Sequence, residues 1–346
     1  MAIVRSWMLI SVAAVGLIAA GGAIPATAAT GRPEAIGVAG HDCRAAELPT
    51  LGFGVSQLSG GDPSGRYLLG REFIEIDFVF VVKSVVWINR QARELDTQAL
   101  LPNVDVRLID ANQDGDIVGY RVRDNSSFHQ DAWLYRDGRF TLLPGLRSTD
   151  VTVPTGINSR GDIVGYSQDP TGPVATYHAV VWPAGHPGTV RELTVPGQPG
   201  AFAMGVGIDD DGTVLGWVGG RPGQTNYIWP PRGAPYPLTG PAGVQFIEAS
   251  AIRNGWVVGF GQMGQQLVGL QWNLRTGQAQ VASTEYPLFI SVNSRGTIGA
   301  NGAIIHRNGR TVPLDRGGTP IVLTDSGTAA GMIDSFGGPP VVWTGC

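Results

Sequence analysis

The feature that most constrains the fold of this chain is a short turn signature that recurs along its 346 residues. An apolar residue is followed by Asn or Asp, then by two residues and Gly, then by an apolar stretch that often ends in Gly. An Asx side chain that accepts backbone hydrogen bonds and a Gly that supplies positive φ are typical of hairpin turns. Each copy therefore predicts a turn between two strands. The clear copies are Ala111–Gly119, Ile157–Gly165 and Ile208–Gly216, and the weaker ones are Ile252–Gly259, Val292–Gly299, Leu323–Gly331 and Ser64–Gly70.

A second signature, a short apolar strand that ends in an aromatic residue, follows each turn. Six intervals separate Trp87 from Trp343, so the mean spacing is about 43 residues, the length of a four-stranded propeller blade. A Gly-containing turn and a fourth strand usually come next, as at Arg139–Pro144. The seven strand-end residues are Trp87, Tyr135, Trp182, Trp229, Trp272, His306 and Trp343.

Each repeat is interpreted as a four-stranded antiparallel meander, and no amphipathic helix of useful length interrupts the pattern. Such a sheet buries both faces only between two neighbours, and a closed ring also protects the sheet edges. The sequence therefore predicts an all-β fold, a β-propeller of seven four-stranded blades, with the strand-end Trp residues in the core between blades. The short spacing around Asn293 predicts a shortened sixth blade.

The two ends of the chain complement each other. The seventh unit stops at its third strand, Val341–Trp343, whereas Arg44–Pro49 matches the fourth-strand pattern that ends in Leu-Pro. The N-terminal strand is therefore predicted to complete the last blade. This closure would bring the only two cysteines, Cys43 and Cys346, to one hairpin gap, and it predicts a disulfide between them. Two free thiols or an intermolecular bond are the alternatives.

The first 29 residues are interpreted as a signal peptide that precedes a single domain, residues 30–346. Arg5 supplies the positive charge, Trp7–Ala20 is an uncharged apolar run, and Ala26–Ala28 matches the small-residue cleavage pattern. An uncleaved membrane anchor is the alternative, and Gly21, Gly22 and Pro25 in the run disfavour it. The mature chain is expected to be secreted, outside the cell or in the cell envelope, without a membrane span.

The charge and composition of the chain limit which classes of molecule it is expected to bind. The net charge is −4 and Lys83 is the only lysine, so the chain has no basic stripe that would bind nucleic acid. Glycine is abundant, with 51 residues, while 43% of the chain remains hydrophobic, which favours many turns between short strands over disorder. We expect a monomer whose partner is an extracellular glycan or protein.

In the third repeat, the pattern Gly-Ile-Asn-x-x-Gly-x-Ile-Val-Gly is followed by His178-Ala179-Val180-Val181-Trp182. This combination resembles the extracellular HAF-repeat family, which is named for a His-Ala-Phe tripeptide, and the resemblance is best over Asp110–Leu193. Val180 stands where the family has Phe, and the other copies depart further from the tripeptide. The resemblance implies a secreted, propeller-like repeat protein, and it transfers no catalytic residue.

One turn also has the composition of a calcium loop. Asp110, Asn112 and Asp114 place oxygen ligands at alternate positions around a Gly turn, as a hard cation requires. Position twelve of this loop is Arg121 and not Glu, so the segment is not an EF-hand. A plain Asx turn without metal is the alternative. No other cofactor is expected, because the G-x-G-x-x-G match at Gly259–Gly264 is not followed by a helix.

Three functions are compatible with this sequence. The first is a non-catalytic extracellular binding module, since propellers present loops on a rigid ring. The second is a carbohydrate-active hydrolase or lyase, in which acids from different blades, such as Glu248, Asp105 and Glu75, meet at the channel mouth. The third is a structural protein of the cell envelope. No motif in the sequence identifies a reaction.

Overall fold

The computed structural model describes residues 43–52, 55–76, 79–97, 105–123, 129–171, 175–219, 224–333 and 338–346, without the side chains of residues 75, 76, 79 and 80. The predicted signal peptide, residues 1–29, lies outside the described residues. The strands belong to one compact unit, His41–Cys346. The described part of the chain contains no helix that is long and apolar enough to cross a membrane.

Seven four-stranded antiparallel sheets form the blades of a β-propeller, which confirms the predicted fold. The first strands of neighbouring blades contact one another around the whole ring, so these strands line the channel. Blade 1 consists of β2 (Val55–Gly61), β3 (Tyr67–Ile76), β4 (Val79–Ile88) and β5 (Gln91–Glu94). Blade 2 consists of β6 (Val106–Ala111), β7 (Ile117–Val122), β8 (Gln130–Arg136) and β9 (Arg139–Leu142). Blade 3 consists of β10 (Val151–Ile157), β11 (Ile163–Asp169), β12 (Thr176–Trp182) and β13 (Arg191–Glu192).

The remaining blades repeat this order. Blade 4 consists of β14 (Ala203–Ile208), β15 (Val214–Val218), β16 (Thr225–Trp229) and β17 (Tyr236–Pro237). Blade 5 consists of β18 (Val244–Arg253), β19 (Trp256–Met263), β20 (Gln266–Asn273) and β21 (Gln278–Ser283). Blade 6 consists of β22 (Phe289–Val292), β23 (Ile298–Ala300), β24 (Ala303–Ile305) and β25 (Thr311–Pro313). Blade 7 consists of β26 (Thr319–Leu323), β27 (Ala329–Met332), β28 (Pro340–Thr344) and the N-terminal strand β1 (Arg44–Glu47).

The ring closes as the sequence predicts. Strand β1 pairs antiparallel with β28, with Arg44 opposite Thr344 and Glu47 opposite Val341. A disulfide joins Cys43 to Cys346, whose Cα atoms are 4.5 Å apart. The two ends of the described chain are therefore held together by four backbone pairs and one covalent bond.

The repeated turns also have the predicted form. In blade 3, the Asn158 Oδ1 atom accepts hydrogen bonds from the backbone N–H groups of Arg160 and Asp162, at 3.0 and 2.9 Å. Gly161 closes the turn at a φ of 81°, a backbone angle that residues with a Cβ atom rarely adopt. In blade 1 the turn begins at Asp62, two residues before the predicted copy, because Asp62 accepts the N–H groups of Ser64 and Tyr67.

From blade 2 to blade 7, the same Asx residues also link the turn of each blade to that of the next, an inter-blade role that the turn signature alone does not predict. The Asn158 Nδ2 atom donates to the backbone carbonyl of Asp209, at 3.1 Å. Asp209 in turn accepts the N–H groups of Asn254 and Gly255. We call these linked residues the turn ring: Asn112, Asn158, Asp209, Asn254 and Asn293.

The strand-end Trp residues pack between blades, as predicted, and they also make a polar contact there. The Trp182 indole N–H donates to the Pro144 carbonyl at 2.7 Å, and the Trp87 indole N–H donates to the Pro49 carbonyl at 2.6 Å. Each acceptor lies just after the outer strand of the preceding blade. A Trp at this position therefore combines a large buried apolar area with one inter-blade hydrogen bond. Trp229, Trp272 and Trp343 make equivalent bonds.

Two blades depart from this Trp pattern. In blade 2 the Trp position is taken by Tyr135, opposite Ile117, and Trp133 is the fully buried side chain. In blade 6 the strand ends at Ile305, opposite Ile298, so His306 is not the strand-end residue that the sequence predicts. The three-residue strands β23, β24 and β25 confirm the shortened sixth blade.

Each of the seven first strands carries a β-bulge at an equivalent position next to the channel. Where the bulged residue is Ser or Thr, its hydroxyl donates to a carbonyl of the next blade's first strand, as Thr155 does to Gly205 at 3.0 Å. These bonds tie the channel wall together. The bulged residues are Ser59, Ile109, Thr155, Val206, Ser250, Ile290 and Ile321.

Candidate functional site

The two ends of the propeller carry different connections between strands. Because every blade is an antiparallel meander, the turns after the first and third strands lie at one end, which we call the turn face. The connections after the second strand and those between blades lie at the other end, which we call the loop face. Loops on a rigid scaffold are where binding residues most often occur.

A row of contacting aromatic side chains lies at the loop-face ends of blades 3 and 4, and Tyr120 of blade 2 lies near it without a ring contact. The ring centroids of Tyr166 and Tyr177 are 5.3 Å apart, those of Tyr177 and Phe202 are 4.6 Å apart, and those of Phe202 and Trp217 are 5.4 Å apart. Burial raises the pKa of the Tyr166 phenol, and the neighbouring Tyr177 and Tyr120 raise it further by a smaller amount. We call Tyr120, Tyr166, Tyr177, Phe202 and Trp217 the aromatic strip. All five side chains are partly exposed.

An ion pair on the channel-lining side ends this strip at blade 2. Arg107 donates to the Asp105 Oδ2 atom from Nε at 2.9 Å and from Nη2 at 2.5 Å. Burial raises the pKa of the Asp105 carboxyl to about 6. Tyr120 lies opposite Arg107 in the β6–β7 register. Burial is the main cause that raises the pKa of the Tyr120 phenol. A carboxylate in a low-dielectric position beside an aromatic ring is a common component of binding and catalytic sites.

Blade 5 extends the apolar character of the loop face. Phe246 has 74% of its surface exposed and a φ of 50°, an uncommon conformation for an aromatic residue. It lies in an additional register shift between Gln245 and Glu248, within β18. Met263 and Leu267, in the paired strands β19 and β20, are each 40% exposed. Strained backbone that presents an apolar side chain to solvent is often functional.

On the turn face, Arg253 of blade 5 spans the channel. Its Nη1 atom lies 3.2 Å from Asp210 of blade 4, and its Nη2 atom lies 3.7 Å from Asp325 of blade 7. Asp110 of blade 2 lies nearby and is partly buried, and burial raises its pKa to about 7, although Arg253 and two backbone N–H groups oppose this shift. Charged groups of four blades therefore meet at this end of the channel.

The three predicted calcium ligands have different environments. Asp110 accepts the N–H groups of Ala111 and Ile157. Asn112 is buried and its Oδ1 atom accepts the N–H groups of Asp114 and Asp116, whereas the Asp114 side chain is exposed. No group of three or more His, Cys, Asp or Glu side chains suited to a metal occurs among the described residues. Calcium binding at Asp110, Asn112 and Asp114 stays a prediction.

The three acids predicted at the channel mouth are not shown to meet. Asp105 adjoins the aromatic strip, at the end formed by blade 2. Glu248 lies on the channel-lining strand of blade 5, opposite Phe260. The side chain of Glu75 lies outside the described part of the structure.

Two open grooves on the turn face offer other concave surfaces. One, of about 480 Å³, lies between blades 2 and 3 and is lined by Arg136, Trp182 and Pro187, among others. The other, of about 520 Å³, lies between blades 4 and 5 beside Asp209. Polar groups in both grooves already hold the turns together, because Arg136 donates to Asp116 and Asp209 accepts two backbone N–H groups. The aromatic strip is therefore the stronger candidate.

The strip has a sequence signal that lies just outside the repeated turn signature. The residue directly after the closing Gly of that signature lies near the loop-face end of each second strand. In blades 2 to 5 this residue is aromatic, and in the other three blades it is not. The four aromatic residues are Tyr120, Tyr166, Trp217 and Phe260.

Comparison with solved structures supports the propeller fold. A puromycin hydrolase mutant aligns with a TM-score of 0.56 at 15% identity, over 81% of this chain and 50% of that one. An oligogalacturonate lyase from Vibrio parahaemolyticus aligns with a TM-score of 0.61 at 11% identity, over 87% of this chain and 93% of that one. The chain thus spans about half the length of the puromycin hydrolase. At these identities the likeness shows the fold alone. No protein-family model and no curated protein matches the chain, and the HAF-repeat resemblance stays a prediction.

Proposed function

We propose that this protein is a secreted, non-catalytic binding module that holds an extracellular glycan on the loop face. The aromatic strip is the observation that carries the proposal. Tyr and Trp provide a large, rigid contact area with an apolar ring and a polar tip, which suits a ligand that has both C–H faces and hydroxyl groups. The three ring contacts from Tyr166 to Trp217 form a row and not a single pocket, which fits an elongated ligand.

Charge distinguishes a glycan from the other polymer that stacks on aromatic rings. Single-stranded nucleic acid also binds to rows of aromatic side chains, but it requires a positively charged groove. The chain has a net charge of −4 and one lysine. The described arginines around the strip are paired with acids, as Arg107 is with Asp105 and Arg147 is with Asp169.

Export is part of the proposal. The predicted signal peptide at residues 1–29 and the disulfide between Cys43 and Cys346 both fit an oxidising compartment outside the cytoplasm. A structural role in the cell envelope would use the same location, and it would differ by the absence of a specific soluble ligand.

A direct binding measurement tests the glycan proposal. Isothermal titration with cellohexaose, mannohexaose and xylohexaose is expected to give saturable binding to at least one of them. The double variant Tyr177→Ala/Trp217→Ala is expected to weaken that binding by about tenfold or more, because two stacking surfaces are lost. Tyr236→Ala is the matched control, since Tyr236 is an exposed aromatic residue outside the strip. Binding that survives the double variant, or no binding by the wild type, would contradict the proposal.

An extracellular hydrolase or lyase is the second candidate, and the raised pKa of the Asp105 carboxyl, about 6, favours it. A carboxyl with such a pKa can exchange protons near neutral pH. Prolonged incubation with each bound oligosaccharide, followed by mass spectrometry, separates the two candidates. A binding module leaves the hexasaccharide intact. Shorter products that disappear in Asp105→Asn would establish the enzyme.

A further inference from the structure

The Asp105 carboxyl group is held from one side only. Arg107 occupies its Oδ2 atom with two hydrogen bonds. Its Oδ1 atom is buried and has no hydrogen-bond partner among the described residues. A buried acceptor without a donor is unfavourable, and native proteins rarely retain one unless water, an ion or a ligand completes it. The Arg107 guanidinium thus fixes the orientation of the Asp105 carboxylate and leaves its Oδ1 atom as a hydrogen-bond acceptor without a donor.

The Asp105 carboxyl group lies near Tyr120, the blade 2 member of the aromatic strip. Arg107 and Tyr120 are opposite each other in the β6–β7 register, and Asp105 directly precedes β6. Arg107 is hydrogen-bonded to Asp105 and lies opposite Tyr120, so the three groups are neighbours. A ligand that stacks along the strip as far as Tyr120 would therefore end beside this carboxyl group. Because the Oδ1 atom is buried, a hydrogen bond from the ligand to Oδ1 requires the side chains that cover it to move aside.

We propose that Asp105 is the specificity-determining residue of the strip: it accepts a hydrogen bond from a hydroxyl group of a neutral sugar and excludes sugars that carry a carboxylate. This inference rests on the proposed glycan-binding function. A hydroxyl group supplies the donor that Oδ1 lacks. A uronate carboxylate would face a like charge, and the two nearest Arg107 donors are already engaged by Asp105.

One substitution reverses the polarity of this position with little change in shape. Arg107 can only donate hydrogen bonds, so in Asp105→Asn it retains the amide oxygen. The Asn NH₂ group then replaces Oδ1 and turns the acceptor into a donor. The variant is expected to bind the neutral hexasaccharide about tenfold more weakly, because a charge-assisted hydrogen bond is lost. It is also expected to gain affinity for an acidic hexasaccharide, since the repulsion is removed.

The test compares two probes by isothermal titration, the neutral hexasaccharide that the wild type binds best and hexagalacturonate. The wild type should prefer the neutral probe by about tenfold or more, and Asp105→Asn should reduce that ratio by about tenfold or more. Asp131→Asn makes the same charge change at an acid paired with Arg121 and Arg123, and it should leave the ratio unchanged. A gain of hexagalacturonate affinity cannot arise from unfolding. Asp105→Ser, which also removes the charge, should lower the ratio too.

The outcomes separate this inference from the function on which it rests. If the wild type binds a neutral hexasaccharide but the ratio is the same in Asp105→Asn, Asp105 does not determine specificity and the glycan proposal stands. Equal wild-type affinity for the neutral hexasaccharide and for hexagalacturonate leads to the same conclusion. If the wild type binds no oligosaccharide, both proposals fail.

Discussion

The turn face and the loop face of this propeller are built from the same seven units, yet they differ in how regular they are. On the turn face, an Asx residue recurs at the head of nearly every first hairpin and bonds to the next blade's turn, as Asn112 does to Asn158 and Asn293 does to Thr324. On the loop face, equivalent positions hold different side chains. Arg71, Tyr120 and Trp217 share one register position in blades 1, 2 and 4.

This difference indicates where structure and function are encoded. A residue that must contact its own equivalent in the next blade is constrained in every unit, and it therefore repeats. A residue that contacts a ligand is constrained in one unit only. The repeat thus encodes the ring, and departures from the repeat, such as the aromatic strip and the bulge at Phe246, are the candidates for function.

The closure should give the largest effect on stability. Cys43→Ala/Cys346→Ala removes a bond that joins residues 303 positions apart. The loss is expected to be roughly 3–5 kcal/mol of unfolding free energy, because the unfolded chain gains entropy. Urea denaturation measures it, and reduced wild type should match the double variant. An unchanged denaturation midpoint would show that β1 closes blade 7 without help from the disulfide.

The turn ring should give the next largest effect. Asn158→Ala leaves the N–H groups of Arg160 and Asp162 and the carbonyl of Asp209 without this partner. We expect a loss of about 2–3 kcal/mol in unfolding free energy with oligosaccharide affinity unchanged. Gln113→Ala, at an exposed position of the blade 2 turn, is the control with little effect. Lost affinity without lost stability would move the ligand site to the turn face.

A pH titration of stability sharpens the description of the turn face. The Asp110 pKa is about 7 in the folded state, against an ordinary value of 3.8. Between these values the folded protein retains a proton that the unfolded chain releases, so this group makes stability fall as pH rises. Relative to Asp110→Asn, the wild type should lose roughly 2–3 kcal/mol between pH 5 and pH 8.5. The comparison by urea denaturation at both pH values cancels other acids, and a constant difference would contradict a buried, proton-binding Asp110.

The strain at Phe246 should give the smallest change in stability. Asn tolerates a φ of 50° better than Phe does, so Phe246→Asn is expected to raise the unfolding free energy by about 0.5–1 kcal/mol. Phe246→Ala retains the strain and should show no such gain. If blade 5 extends the ligand site, both variants should weaken oligosaccharide binding, and thermal melts together with titration calorimetry would show the two effects separately.

The sequence predicts the ring better than it predicts the site, for a physical reason. The Asx–Gly turns, the strand-end Trp residues and the β1 closure are local patterns that recur, so seven copies support one another. The links between blades, such as the bond from Trp182 to Pro144, become visible only when two blades are placed side by side. Phe202 and Tyr177 belong to different blades and to no motif, and only the fold brings their rings to 4.6 Å.

Hydroxyl-radical footprinting with and without the bound hexasaccharide shows directly whether the ligand binds on the loop face. It reports the solvent access of aromatic side chains on both faces in one experiment. We expect protection of Tyr177, Phe202 and Trp217 and no change at Tyr236 and Trp256 on the turn face. Protection of Tyr236 or Trp256 without protection of the aromatic strip would contradict ligand binding on the loop face.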